Sequence, residues 1–190
     1  MSWSRRGLVC GIGAGLALLG PAQRHARAAG ERQAAIIARA LSYERTLGAR
    51  TGQKLLIAIV YDQRVPASTA DARAWLQGFD ALEGITVNGN PIEAVTQAWD
   101  SSDSTLLRSG AADVLLVCEG MREQLGNIAS YTGSQRILSV GSTRAYLDYA
   151  CSLGVFAVGE KLRITVNLSV AEREHVKFSS RLLELADIVR

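Results

Sequence analysis

Beyond residue 30 the sequence has one histidine, His175, and two cysteines, Cys118 and Cys151. A zinc site with two histidines therefore cannot form, and an all-cysteine site would have half the ligands it needs. His175 lies in the charged stretch Glu172-Arg173-Glu174-His175, where nothing nearby would orient it as a general base. It reads as a solvent-facing loop or helix-end residue. Cys118 stands beside Glu119. A neighbouring carboxylate raises a thiol's pKa, which argues against a nucleophilic role. No G-x-S-x-G elbow and no G-K-[ST] phosphate loop is present. Gly11-Ile12-Gly13-Ala14-Gly15 resembles a dinucleotide loop, but it lacks the preceding strand that such a loop requires. No catalytic residue, metal ligand or cofactor-binding residue emerges, and the expectation is a protein that is not an enzyme and carries no cofactor.

Asp62 and Glu119 are the acids best placed for a ligand. Each follows an apolar β-prone run, Leu55 to Tyr61 and Val114 to Cys118. In open α/β sheets ligands gather at the carboxyl ends of parallel strands, so both acids can face one crevice. Acids at strand ends also serve simply to meet water. Tyr43, Tyr61, Trp75 and Trp99 read as core or half-buried packing.

The elements that would position these residues alternate. Glu31 to Arg50 reads as a helix with Ile36, Ile37, Ala40, Leu41 and Leu47 on one stripe. Leu55 to Tyr61 is apolar on both faces, as a buried parallel strand is. Ser68 can cap a helix from about Thr69 to Leu82, with Ala72, Trp75, Leu76 and Phe79 on one side. Short strands follow at Ile85 to Val87 and Ile92 to Val95, around Asn88-Gly89-Asn90-Pro91. A short helix is expected over Asp103 to Arg108, a second buried strand over Val114 to Cys118, a helix over Met121 to Ala129, a third strand over Ile137 to Val140 and a short helix over Thr143 to Tyr149.

Val155 to Val158 and Leu162 to Leu168 are separated by Gly159-Glu160-Lys161 and predict a β-hairpin. Ser179 or Ser180 can cap a final helix with the stripe Leu182, Leu185, Ala186 and Val189. The pattern predicts an α/β fold: a three-layer sandwich with a mostly parallel mixed sheet, closed by a C-terminal β-hairpin and helix. If the unit from Ile137 to Val158 is a parallel crossover, Cys151 lies roughly 15–20 Å from Cys118 and both thiols are free. If the first hairpin strand opposes the parallel ones, the two cysteines approach each other. The crossover is the commoner arrangement.

The first 29 residues have a different character. Arg5 and Arg6 precede the uncharged apolar stretch Gly7 to Gly20, and small residues follow at Ala26, Ala28 and Ala29. This is the layout of a cleaved signal peptide, and the apolar stretch of about 14 residues falls short of the ~20 needed to span a bilayer. Ser4-Arg5-Arg6-Gly7-Leu8 resembles a twin-arginine export signal, and the general secretory (Sec) route fits the same pattern. Residues 30–190 are expected to form one domain, in the periplasm, with no membrane insertion after cleavage. Of the 21 Lys+Arg, Arg5, Arg6, Arg24 and Arg27 precede Glu31, leaving 17 against 18 Asp+Glu and a net charge of −1. That balance gives no support to nucleic-acid binding.

The C-terminal part carries a resemblance. Arg163-Ile164-Thr165-Val166-Asn167-Leu168, then Ala171, then Phe178-Ser179-Ser180-Arg181-Leu182-Leu183-Glu184-Leu185-Ala186 resembles the closing signature of the YfiR-like family. Tyr43-Glu44-Arg45-Thr46-Leu47 before an apolar strand, and Ala112-Asp113-Val114-Leu115-Leu116-Val117, resemble other parts of it. The motif residues Asn167, Ser179, Ser180, Leu182, Leu183, Leu185 and Ala186 read as packing and capping groups.

The resemblance implies a periplasmic protein, often dimeric, that restrains a membrane-bound diguanylate cyclase and so lowers cyclic di-GMP in the cell. Residue 112, where a relative can carry a cysteine, is alanine here. The implied function is a non-catalytic regulator whose partner is the periplasmic domain of an inner-membrane signalling protein, a diguanylate cyclase or a sensor kinase. The alternative is a periplasmic small-molecule-binding domain using the crevice near Asp62 and Glu119.

Overall fold

The computed structural model describes residues 21–99, 109–159 and 161–190. The helix expected over Asp103 to Arg108 and most of the expected signal peptide lie outside them. One eight-stranded sheet organises the fold. Its strands are β1 (Leu55–Tyr61), β2 (Thr86–Val87), β3 (Asn90–Ala98), β4 (Val114–Val117), β5 (Leu138–Gly141), β6 (Leu153–Val158), β7 (Lys161–Asn167) and β8 (Ala186–Val189). The spatial order is β2-β3-β1-β4-β5-β6-β7-β8. Strands β3, β1, β4, β5 and β6 run parallel. β2 is antiparallel to β3 and β7 to β6, and β8 runs parallel to β7.

The apolar runs behave as buried parallel strands do. Ile57 and Ile59 face one side of the sheet, where they pack with α1 (Pro21–Leu41) and α3 (Pro66–Asp80). Ala58 and Val60 face the other, against α4 (Leu125–Gln135) and the 3₁₀ turn Arg144–Asp148. Two apolar layers thus enclose the middle strands β1, β4 and β5 on both faces, which is why these three carry no polar alternation. Asn88 (φ 52°) and Gly89 (φ 86°) turn β2 into β3, the two positive φ angles that an Asn-Gly hairpin turn supplies. The parallel relation of β5 to β6 matches the expected crossover. Cys118 and Cys151 are both free and buried, and they belong to opposite apolar layers.

Four expectations change. The helix expected over Glu31 to Arg50 ends at Leu41, and only α2 (Leu47–Arg50) follows it. The Glu44 carboxylate breaks the run by taking the N–H groups of Thr46 and Leu47, which capture α2's first donors. Helix α3 starts at Pro66, a residue whose missing N–H costs nothing at a helix start. Ser68 is inside it, and its buried hydroxyl accepts from the Asp62 N–H (3.0 Å) instead of capping. The helix expected from Met121 is a 3₁₀ turn, Arg122–Gln124, followed by α4, which runs on to Gln135.

The final helix is the largest change. It is the short α6 (Ser180–Leu183), and the chain then becomes β8. Leu185, on the expected buried stripe, is 67% exposed. The bare outer edge of β7 offers a row of backbone groups, and the β-branched Ile188 and Val189 pair with it at Val166 and Asn167. Ser179 holds the N-cap position of α6, yet its hydroxyl makes no bond to the helix.

Candidate functional site

β1 and β4 are neighbours, with Val60 opposite Val117, so Asp62 and Glu119 each stand two residues beyond one rung of the ladder. The sheet's strand order reverses here, since β3 lies on one side of β1 and β4 on the other. The structure therefore brings the two acids to adjoining loops at a topological switch point.

Their side chains face different surroundings. The Asp62 carboxylate is bound by its neighbour Arg64, through the backbone N–H (2.9 Å), Nε (3.0 Å) and Nη2 (2.7 Å). These contacts hold its carboxyl below the usual range. Glu119 is exposed, and its backbone N–H donates to Asp71 Oδ2 on α3 (2.7 Å). Gly120 (φ 83°) lets the loop pass close to α3, because a Cβ there would lie 2.8 Å from Val65 Cγ1. Burial, with the Asp71 carboxylate nearby, pushes the Cys118 thiol up, which keeps it protonated and inert.

Beside Glu119 a cavity of about 330 Å³ opens between the loops that follow β4 and β5. Arg122, Thr143, Tyr146, Asp148 and Tyr149 line it, and Asp62 does not. The Tyr146 hydroxyl accepts from the Met121 N–H (2.9 Å), and burial raises its pKa. Tyr149 is half exposed. This wall presents two carboxylates, one guanidinium and two phenol rings.

A larger cavity, about 550 Å³, lies at the opposite end of the sheet. Arg45, His175 and Lys177 border it, with Leu168, Val176 and Phe178 beneath. His175 is exposed at the end of α5 (Leu168–Arg173), in a left-handed conformation (φ 57°), as a helix-end residue. Among the described residues no group of His, Cys, Asp and Glu is arranged to hold a metal ion.

Two further carboxylates, away from Asp62 and Glu119, are fully enclosed. Glu44 is 2% exposed, and besides capping α2 it accepts from Thr46 Oγ1 and from the Lys177 N–H. Glu174 is 0% exposed and accepts from the Ser139 N–H and hydroxyl. Glu44 carried one signal, its place in the Tyr43-Glu44-Arg45-Thr46-Leu47 pattern. Glu174 carried none, since its neighbours Glu172, Arg173 and His175 are all exposed.

Residues 31–187 match the family described as YfiR/HmsC-like. The chain belongs to the YfiR/HmsC-like family. No curated protein matches it in sequence. Among solved structures, its fold is similar to the ABC domain in complex with L-Trp from Streptococcus pneumonia, with a TM-score of 0.58 at 12% identity over 85% of this chain and 60% of that one. It is similar also to a conserved domain protein from Vibrio cholerae, TM-score 0.56 at 11% identity over 85% and 60%. A third is a substrate binding protein with adhesive properties from Clostridium difficile in its ligand-free, open structure, TM-score 0.54 at 12% identity over 76% and 57%. The chain thus spans about three fifths of these structures, and at such identities the likeness is one of fold.

The YfiR/HmsC-like match covers both enclosed glutamates and the C-terminal motif. Within that motif Asn167 is buried and caps α5, accepting from the Val170 N–H (3.0 Å) and donating to the Leu147 carbonyl (2.7 Å). Leu182 is core, Leu183 and Ala186 pack against it in part, and Ser180 and Leu185 face solvent.

Proposed function

We propose that this YfiR/HmsC-like protein is a non-catalytic periplasmic regulator that binds the periplasmic domain of an inner-membrane signalling protein, a diguanylate cyclase or a sensor kinase. The observation that carries this reading is the family match over residues 31–187. The local chemistry agrees with it: Glu44, Glu174, Asp71 and Asn167 hold backbone N–H groups, which makes them part of the scaffold. Export of residues 30–190 as one domain, by the twin-arginine or the Sec route, belongs to the same reading. So does a homodimer, which sedimentation velocity separates from a monomer. No described helix is long and apolar enough to cross a membrane. Capture from solubilised inner membranes with the tagged protein should retrieve one signalling protein, and deleting the gene should change cyclic di-GMP or kinase output. An unchanged output together with an empty capture would sink the proposal.

A second reading, a small-molecule-binding domain, draws on the cavity beside Glu119 and on the fold shared with binding proteins. Its charged and aromatic wall suits a free amino acid. L-Tryptophan, the ligand of the streptococcal structure, is the first probe. Calorimetry with wild type and Tyr149→Ala should show binding that the variant weakens, and no heat with any of the twenty amino acids would count against this reading.

A further inference from the structure

β5 and β6 are joined by a single ladder pair, Val140 with Leu153, whereas β4–β5 has four and β6–β7 six. β6 starts level with Val140, so the first half of β5 has no strand beside it on that side. Both main-chain groups of Ser139 point into this gap. Side chains fill it. Glu174 Oε2 accepts from the Ser139 N–H (3.1 Å), and Ser152 Oγ donates to the Ser139 carbonyl (3.0 Å). The Ser152 N–H donates to Ser139 Oγ (3.0 Å), which also bonds Glu174 Oε1.

The seam joins the parallel half of the sheet to β6, β7, β8, α5 and α6. Elsewhere the two parts meet through apolar packing under α1, through Gln33 Nε2, which donates to the Val155 carbonyl (3.0 Å), through Asn167 Nδ2, which donates to the Leu147 carbonyl (2.7 Å), and through Glu44, which accepts from the Lys177 N–H (2.8 Å).

Among the described residues no cation is bound to the seam's acid, Glu174. β5 presents Ser139 to it and α4 presents Thr132. The segment before β6 presents Ser152 and the buried Cys151 thiol. On its own element Arg173 turns away, and its Nη2 donates to the Tyr149 carbonyl (3.2 Å). The hydroxyl between the two parts can serve either protonation state. With Glu174 ionised, Ser139 Oγ donates to it. With Glu174 neutral, the carboxyl donates to Ser139 Oγ, whose own proton turns to the Ala150 carbonyl (3.4 Å).

We propose that Glu174 is a proton-controlled latch on the β5–β6 seam: the neutral carboxyl locks the C-terminal unit against β5, and its ionisation lets the seam open. Burial raises this carboxyl above the ordinary value of 4.5, against the lowering pull of its hydrogen bonds to Ser139, Ser152 and Thr132. The closed state therefore holds the proton, and the open state, where water reaches the group, releases it. The latch is fully engaged below the ordinary value and loosens as pH rises toward and through the raised one. With one proton linked, the open population rises by at most tenfold per pH unit. Nothing in this depends on what the protein binds.

Hydrogen exchange of the full chain, corrected for the intrinsic pH dependence of exchange, tests it. Peptides covering residues 138–141 and 150–155 should open increasingly as pH rises above the ordinary carboxyl value of 4.5. Peptides from β1 and β4 should not. Glu174→Gln, which mimics the neutral carboxyl, should remove the seam's pH dependence and leave it closed. A folded Glu174→Gln protein that keeps the wild-type pH dependence overturns the latch. If that variant does not fold, wild-type exchange decides alone: a pH dependence confined to the seam supports the latch, and one shared with β1 and β4, or none at all, overturns it.

Discussion

The carboxylate of Glu44 accepts a hydrogen bond from the backbone N–H of Lys177 at 2.8 Å, across 133 residues of chain. The same group caps α2, and around it Arg45 and Ser179 exchange backbone bonds with Lys177 and Tyr43 (both 2.9 Å). One side chain thus ties the start of the domain to its end.

Glu44→Ala should therefore lower stability by roughly 2–4 kcal/mol, because buried N–H groups lose their acceptor. A urea titration checks this. The midpoint should fall at an unchanged slope, and a midpoint equal to wild type would show that water replaces the carboxylate.

Leucines 182 and 185 should separate cleanly. Leu182, 1% exposed, sits in the core, and truncation to alanine should cost roughly 2–5 kcal/mol. Leu185 is 67% exposed, and its truncation should stay within about 0.5 kcal/mol. Equal losses in thermal denaturation would mean that the segment after Leu183 is helical after all.

Cys118 and Cys151 should both be free. They lie in opposite apolar layers, and a bridge needs Cα atoms within about 7 Å on one side of the sheet. Burial pushes both thiols up. Protein purified from the periplasm without reductant should expose both thiols to Ellman's reagent in denaturant and almost none when native. A denatured protein with no reactive thiol would contradict this strand order.

Cleavage near Ala28 or Ala29 should leave the domain whole. Gly30 is where α1 meets α3: a Cβ at Gly78 would lie 3.1 Å from the Gly30 carbonyl and 3.3 Å from Ala34 Cβ. A cut before Gly30 spares that close helix crossing. N-terminal sequencing of exported protein should start at or next to Gly30, and a Met1 start in purified membranes would argue for an anchor.

By itself, the sequence determined the order of most elements, the burial of β1, β4 and β5, the Asn88-Gly89 turn and the family, and it favoured the parallel β5–β6 crossover over the opposed arrangement. Each of these is written locally, in apolar runs, turn residues and spacing, and local patterns record which face of an element avoids water. The tertiary structure alone decided the roles of Glu44 and Glu174 and the fate of the C-terminus. Leu182, Leu185 and Ala186 have helical spacing, yet the chain after Leu183 becomes a strand because β7 leaves an edge to pair with. Glu174 sits among exposed charges in sequence, yet it is buried because β6 starts too late to cover Ser139. In each case the deciding partner is a backbone group far away along the chain. The register of the folded sheet determines whether that group is free, and periodicity along the sequence carries no record of it.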